Sequence, residues 1–205
     1  MSRLIQVGVF LALALSIAYA DSALGQVAKG QLLVQPMGGI AVPLGDLKQV
    51  AKSGSTLGIS FDYMIADFVS IGTGIQIASF RTVSYGRSVI YGTETDTSRS
   101  RKFLDFSLAM RLYLSRRWLA NPFLEAGGSL LCASFKETRP WQLIPSVVER
   151  LVVGHHFGGG LETGLSRSSR ILVSVDYHSI VNPDRRKYLH YWTMRAGLAI
   201  QFRPL

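Results

Sequence analysis

The chain has four histidines, and a scattered set of carboxylates and arginines completes its chemical inventory. His155 and His156 are adjacent, so on a strand they project to opposite faces and cannot serve one metal ion together. His156 and His178 could share an interior with Glu162 and Asp176. Those are metal-ligand types, but the set lacks the defined spacing of a metal site, and a structural polar cluster is the simpler expectation. In Tyr177-His178-Ser179-Ile180 a hydroxyl directly follows an imidazole. The same alternation sends the two to opposite faces, which removes the nucleophile–base contact that acyl transfer requires. No catalytic residue, cofactor or metal is therefore expected. The charges Asp62, Asp105, Arg111, Glu125, Glu162, Asp176 and Arg195 each fall on the less apolar face of an alternating segment. They are expected to pair with one another as a structural network, because a buried unpaired charge costs several kcal/mol, roughly.

The elements that must position these residues are strands. In 57–65 the odd positions are large and apolar and the even ones mostly small or polar, and 69–77 repeats the pattern. Leu104, Phe106, Leu108, Met110, Leu112 and Leu114 oppose Asp105, Ser107, Ala109, Arg111 and Tyr113; Trp192, Met194, Ala196, Leu198, Ile200 and Phe202 oppose Thr193, Arg195, Gly197, Ala199 and Gln201. Eight such segments are predicted, at 31–43, 55–66, 69–83, 102–114, 122–135, 150–165, 169–181 and 187–202. Each exceeds the usual soluble strand of about 5–6 residues and suits a tilted membrane strand of about 9–11. The connections alternate: a tight turn at 66–68, a long polar stretch at 84–101, a short one at 115–121, a long one at 136–149, a short one at 166–168. That rhythm predicts an all-β fold, an eight-stranded antiparallel up-and-down transmembrane β-barrel. The apolar faces are outward, toward lipid. The charged faces, beside Gly58, Gly72, Gly74, Gly158, Gly160, Gly164 and Gly197, fill a lumen too narrow for an open pore. Phe68, Trp118 and Phe202 at one rim, and Tyr188, Tyr191 and Trp192 at the other, would form aromatic girdles.

Composition agrees. Charged residues are 17% of the chain, below the quarter or so usual in soluble domains. Arg3, the uncharged run Leu4–Ile17 and Ala18-Tyr19-Ala20 read as a signal peptide over 1–20, with cleavage after Ala20 or Gly25, leaving 21–205 as the barrel domain. Export turns the net charge of +9 away from nucleic acid and toward anionic lipid. Cys132 is the single cysteine, so no disulfide framework exists. The basic residues Arg81, Arg87, Arg99, Arg101, Lys102, Arg185, Arg186 and Lys187 fall near the long-loop rim and are candidates for contact with lipopolysaccharide.

With Gly38-Gly39-Ile40-Ala41-Val42-Pro43-Leu44-Gly45-Asp46-Leu47 at the first strand and Phe68-Val69-Ser70-Ile71-Gly72-Thr73-Gly74-Ile75 after the tight turn, the chain resembles the small outer-membrane barrels of the OmpA/OmpX type. It looks especially like the porin-like outer membrane protein beta-barrel domain family of Bacteroidetes. The resemblance implies residence in the outer membrane of a Gram-negative cell. It also implies lipid, lipopolysaccharide and the barrel assembly machinery as partners, with roles in membrane integrity or surface binding through loops. A narrow solute channel and a lipid A-modifying enzyme are the alternatives. Barrels of this type commonly end on an aromatic residue; here Phe202 is followed by Arg203, Pro204 and Leu205. Lipid A deacylases carry a His-x-Ser-Asn stretch, which the sequence at His178 echoes only loosely.

Overall fold

The computed structural model describes residues 29–90, 93–114, 120–138, 146–166, 168–182 and 187–202. The signal-peptide expectation, Trp118, Arg185 and Arg186 lie outside them. The strands are β1 (Leu32–Leu44), β2 (Ala51–Ala66), β3 (Val69–Ile90), β4 (Thr93–Tyr113), β5 (Ala120–Thr138), β6 (Ser146–Gly164), β7 (Ser169–Asn182) and β8 (Lys187–Phe202), with one short helix, α1 (Gly45–Val50), between the first two. Each strand pairs antiparallel with its sequence neighbours, and β8 returns to β1, closing the barrel. Among the described residues no helix is long and apolar enough to cross a membrane.

The register sets the tilt. The row of directly opposed residues from Leu32 through Tyr63, Ile71, Met110, Ala126, Phe157, Tyr177 and Trp192 returns to β1 at Val42, ten residues beyond its start. A stagger of that size inclines the strands by about 35–45° to the barrel axis. One end carries the turn at 67–68, the β6–β7 turn, the start of β1 and the end of β8, and the other carries α1 and the long hairpins.

Alternation decides the two faces. Leu57, Leu108, Leu124, Leu161, Val173 and Met194 all point outward and lie about half exposed. Inside, one apolar cluster (Leu33, Met37, Met64, Tyr113, Phe123, Leu172) lies toward the turn end. A larger one, including Leu47, Phe80, Phe103, Leu131, Ile180 and Tyr191, fills the hairpin end. Leu47 comes from α1, which folds into the mouth after the chain reverses at Gly45 with φ of 51°. That left-handed backbone favours glycine.

Three expectations need correction. The stretches 84–101 and 136–149 are largely strand: β3 and β4 stay paired out to Ile90 and Thr93, with bulges between Phe80 and Val83 and between Tyr85 and Arg87, and β5 and β6 stay paired out to Glu137 and Ser146. Ladder pairing satisfies the backbone whatever the side chains are, whereas hydrophobic alternation stops where the apolar belt stops. The first connection is likewise shorter than 44–54, because α1 fills it and β2 begins at Ala51. Tyr191 is fully buried in the interior cluster and belongs to no girdle, since Trp192, its neighbour, takes the outward position.

Inward glycines let side chains from the next strand occupy the lumen. A Cβ at Gly72 would fall 1.7 Å from Asp62 Oδ1, whereas one at the outward-facing Gly128 would meet nothing within 4 Å. Gly72→Ala is therefore expected to lower folding stability by about 1–3 kcal/mol, the usual range for overpacking. Gly128→Ala should be near neutral, and urea unfolding of the detergent-folded barrel measures both.

Candidate functional site

The candidate site is the lumen. Its charged side chains come from six strands, each at an inward position beside small residues. Asp62, Asp105, Arg111, Glu125, Glu162 and Asp176 are all buried, and Arg195 keeps 10% of its side chain accessible. The structure therefore brings the seven sequence-selected charges inside one wall, six of them in three groups and Asp105 beside His178.

Toward the turn end, Arg170 Nη1 donates to Glu162 Oε1 at 3.0 Å and the Tyr113 hydroxyl donates to Glu162 Oε2 at 2.9 Å. In the second group Arg111 donates through Nε (3.0 Å) and Nη2 (2.6 Å) to Glu125 Oε2, and through Nη1 (3.1 Å) to Gln35 Oε1. The same Nη1 lies 3.1 Å from Asp62 Oδ2, an ionic contact without hydrogen-bond alignment. The guanidinium also sits 4.4 Å above the centre of the Phe123 ring. In the third group Arg195 donates through Nε (3.1 Å) and Nη2 (2.7 Å) to Asp176 Oδ2, and through Nη1 (2.7 Å) to Gln76 Oε1. The Ser174 hydroxyl donates to the same Asp176 oxygen at 2.9 Å. Charge-assisted bonds of this length are stronger than neutral ones.

Above them His156 Nε2 lies 3.5 Å from Glu125 Oε1, and His178 Nδ1 lies 3.7 Å from Asp105 Oδ2. The two imidazoles stack at 5.5 Å, and His178 stacks on Tyr191 at 4.5 Å. His178 Nε2 is also 3.1 Å from Thr193 Oγ1, so Asp105, His178 and Thr193 follow the order of an acid–imidazole–hydroxyl chain. Thr193 has no accessible surface, and the cavity beside His178 holds about 30 Å³, room for one or two waters and no acyl substrate. The geometry is that of a buried polar relay.

Two residues were missed or differently placed by sequence reasoning. Arg170 is a third lumen base, overlooked because it opens β7 beside the turn, where alternation gives little signal. Glu162 lies with Arg170 and Tyr113, away from the histidines, so the His156–His178–Glu162–Asp176 set does not assemble; among the described residues no group of three potential ligands could hold a metal. His155 and Ser179 take the face opposite His156 and His178, as alternation requires.

The basic candidates at the hairpin end divide. Arg87 and Arg99 lie on β3 and β4 rather than in a loop, and Lys187 begins β8. Arg101 and Lys102 are strand neighbours on opposite faces, Arg101 half-buried beside the interior and Lys102 exposed on the outer wall, so they cannot grip one ligand together.

Solved structures of similar shape are outer-membrane barrels. Neisserial surface protein A superposes with a TM-score of 0.60 at 17% identity, covering 85% of this chain and 100% of its own. OprG of Pseudomonas aeruginosa gives 0.56 at 15% identity, with 88% and 100% covered. A major outer membrane protein of Thermus thermophilus gives 0.56 at 13%, with 83% and 99% covered. No protein-family model matches the chain. No curated protein matches it in sequence. The likeness is one of fold: a closed eight-stranded antiparallel up-and-down β-barrel of the outer-membrane kind.

Arg111 neutralises two carboxylates, so Arg111→Met leaves Asp62 buried without its base and Glu125 with only Arg195, whose Nη2 lies 3.9 Å from Oε1. A loss of about 3–5 kcal/mol is expected, the range for breaking a buried pair from one side. The triple change Arg111→Met, Asp62→Asn, Glu125→Gln should recover part of it, because no uncompensated charge then remains. Urea titration of the folded barrel in detergent reads both.

Proposed function

We propose that the protein is a non-enzymatic outer-membrane β-barrel with a closed, polar, side-chain-filled lumen, acting in membrane integrity or in surface and partner binding from its hairpin end. One observation carries the reading: the wall is apolar outside and charged inside. Water on the outer face would leave some thirty large apolar side chains exposed around the circumference, a patch far beyond the few hundred Å² of ordinary soluble surfaces. Lipid removes that cost, and the closed ladder leaves no unpaired strand edge within it. In this reading the turn end faces the periplasm and the hairpin end the exterior, residues 1–20 direct export, and the assembly machinery inserts the barrel. Arg87, Arg99, Lys102, Arg185, Arg186 and Lys187 would lie where lipopolysaccharide is met, with Arg101 at the mouth.

A conducting role is disfavoured by the lumen itself. Arg111 and Arg195 bridge from strand to strand across it, and the interior cluster of Phe80, Phe103, Tyr191 and Leu47 closes the hairpin end.

The test is fractionation followed by gel mobility. The protein is expected in the outer-membrane fraction, with unboiled and boiled samples migrating differently, and purified protein is expected to give no steady conductance in planar bilayers. Recovery as a soluble periplasmic protein would overturn the membrane reading; steady conductance would overturn the closed lumen. On the same reading Leu108→Arg, at a site 63% exposed on the middle of the wall, should destabilise the bilayer-folded protein by about 2–4 kcal/mol.

A further inference from the structure

The outer wall carries a row of cations at the hairpin end. Lys52 on β2 directly opposes Arg81 on β3. Lys102 on β4 opposes Ser79, two residues along β3 from Arg81 on the same face, which makes Lys102 the diagonal neighbour of Arg81. All three are exposed, and their chain neighbours Ala51, Phe80 and Phe103 are buried inside, so the three project from the outer face. Cross-strand neighbours of this kind stand about 5 Å apart and diagonal ones about 7–8 Å apart. Like charges so placed repel, and among the described residues none of the three has an ion-pair partner. On the stretches of β2 to β4 level with the row and below it the acids are Asp62 and Asp105, and both point into the lumen; Glu94 and Asp96 lie farther out along the β3–β4 hairpin, opposite Val89 and Arg87.

Below the row the wall is apolar: Leu57, Ile77, Ile75 and Phe106 are outward and 43–69% exposed. A cationic row immediately beyond a lipid-facing apolar surface matches one kind of molecule, an acyl lipid with its phosphate at the rim. The row extends over two inter-strand spacings, about 10 Å, too wide for one phosphate and suited to two. Resting on the outer-membrane reading above, which puts this rim in the outer leaflet, we propose that Lys52, Arg81 and Lys102 form a binding site for a bisphosphorylated, multiply acylated glycolipid of the lipid A class. Its phosphates lie along the three cations beside the Ser79 hydroxyl, and its chains lie on Leu57, Ile77 and their neighbours. The site is on the strand wall rather than in the loops, with Lys52 and Arg81 directly paired where the ladder bulges, between Lys52 and Ser55 on β2 and between Phe80 and Val83 on β3.

The test compares full-length protein with the triple variant Lys52→Gln, Arg81→Gln, Lys102→Gln, both extracted from outer membranes in mild detergent. Lipid A retained per barrel is counted by mass spectrometry of the extracted lipid. The expected result is retention by the unaltered protein and at least a tenfold loss in the variant, with the boiled-against-unboiled mobility shift unchanged in both. Equal retention by the two proteins, or none by either, overturns the site. Delipidated protein is also offered vesicles containing lipid A or phosphatidylglycerol. Equal, triple-variant-sensitive binding to both overturns the glycolipid assignment in favour of any anionic lipid. Absence of the unaltered protein from the outer-membrane fraction would be a failure of the location reading itself, seen before any lipid is counted. A variant that loses its mobility shift is replaced by the single changes, of which Arg81→Gln, at the centre of the row, should lose most lipid.

Discussion

A charge inside a closed wall filled with side chains meets little water, and that constraint organises this molecule. Five buried carboxylates must be neutralised within a lumen only one side chain deep. The bases that do so reach partners far away in sequence: Arg195 reaches Gln76, 119 residues away, and Arg111 reaches Gln35, 76 away. These bonds fix which strands stand opposite one another across the lumen. The inward glycines follow from the same demand, since Asp62 occupies the space that a side chain at Gly72 would need. The apolar exterior follows too: the charged middle of the lumen confines inward apolar side chains to clusters at its two ends, and the other large hydrophobic residues take outward positions.

The sequence was legible where one period ruled. Alternation located eight strands and assigned Asp62, Asp105, Arg111, Glu125, Glu162, Asp176 and Arg195 to a common face, because a two-residue period admits no third direction. It was silent where the period ended. The hairpin of β3 and β4 outruns the apolar belt, and its Thr- and Ser-rich part, read as a loop, stays paired through backbone bonds that no side-chain pattern reports. Tyr191 lies in the interior rather than at a rim because its inward slot in β8 outranks the preference of tyrosine for an interface. The pairing of partners was not legible at all. Whether His178 meets Glu162 or Asp105 depends on the stagger of the barrel, and stagger is a property of the closed ring rather than of any one strand.

The same contrast separates what the interior and the exterior can do. The interior is committed: nearly every base has its acid, and the remaining space suits water alone. The relay of Asp105, His178 and Thr193 shows that catalytic-looking order can arise from packing polar side chains in a confined volume, and access rather than order distinguishes it from an active site. The exterior is uncommitted at its hairpin end, where Lys52 and Arg81 stand opposite each other with no ion pair to an acid among the described residues. The outer wall and rim are therefore the surfaces open to a partner.

Closure joins the first strand to the last, and this bears on how the barrel forms. Pairing of Leu32 with Phe202 spans the described strands end to end, so it carries the largest loop-closure entropy of any contact in the ladder. β8 also brings Arg195, without which Asp176 keeps only the Ser174 hydroxyl. An open sheet of seven strands would thus present two unpaired edges and an unneutralised Asp176 at once, and the final docking event removes both. Such a coupling disfavours half-zipped intermediates and makes assembly closer to a single snap than to a progressive winding.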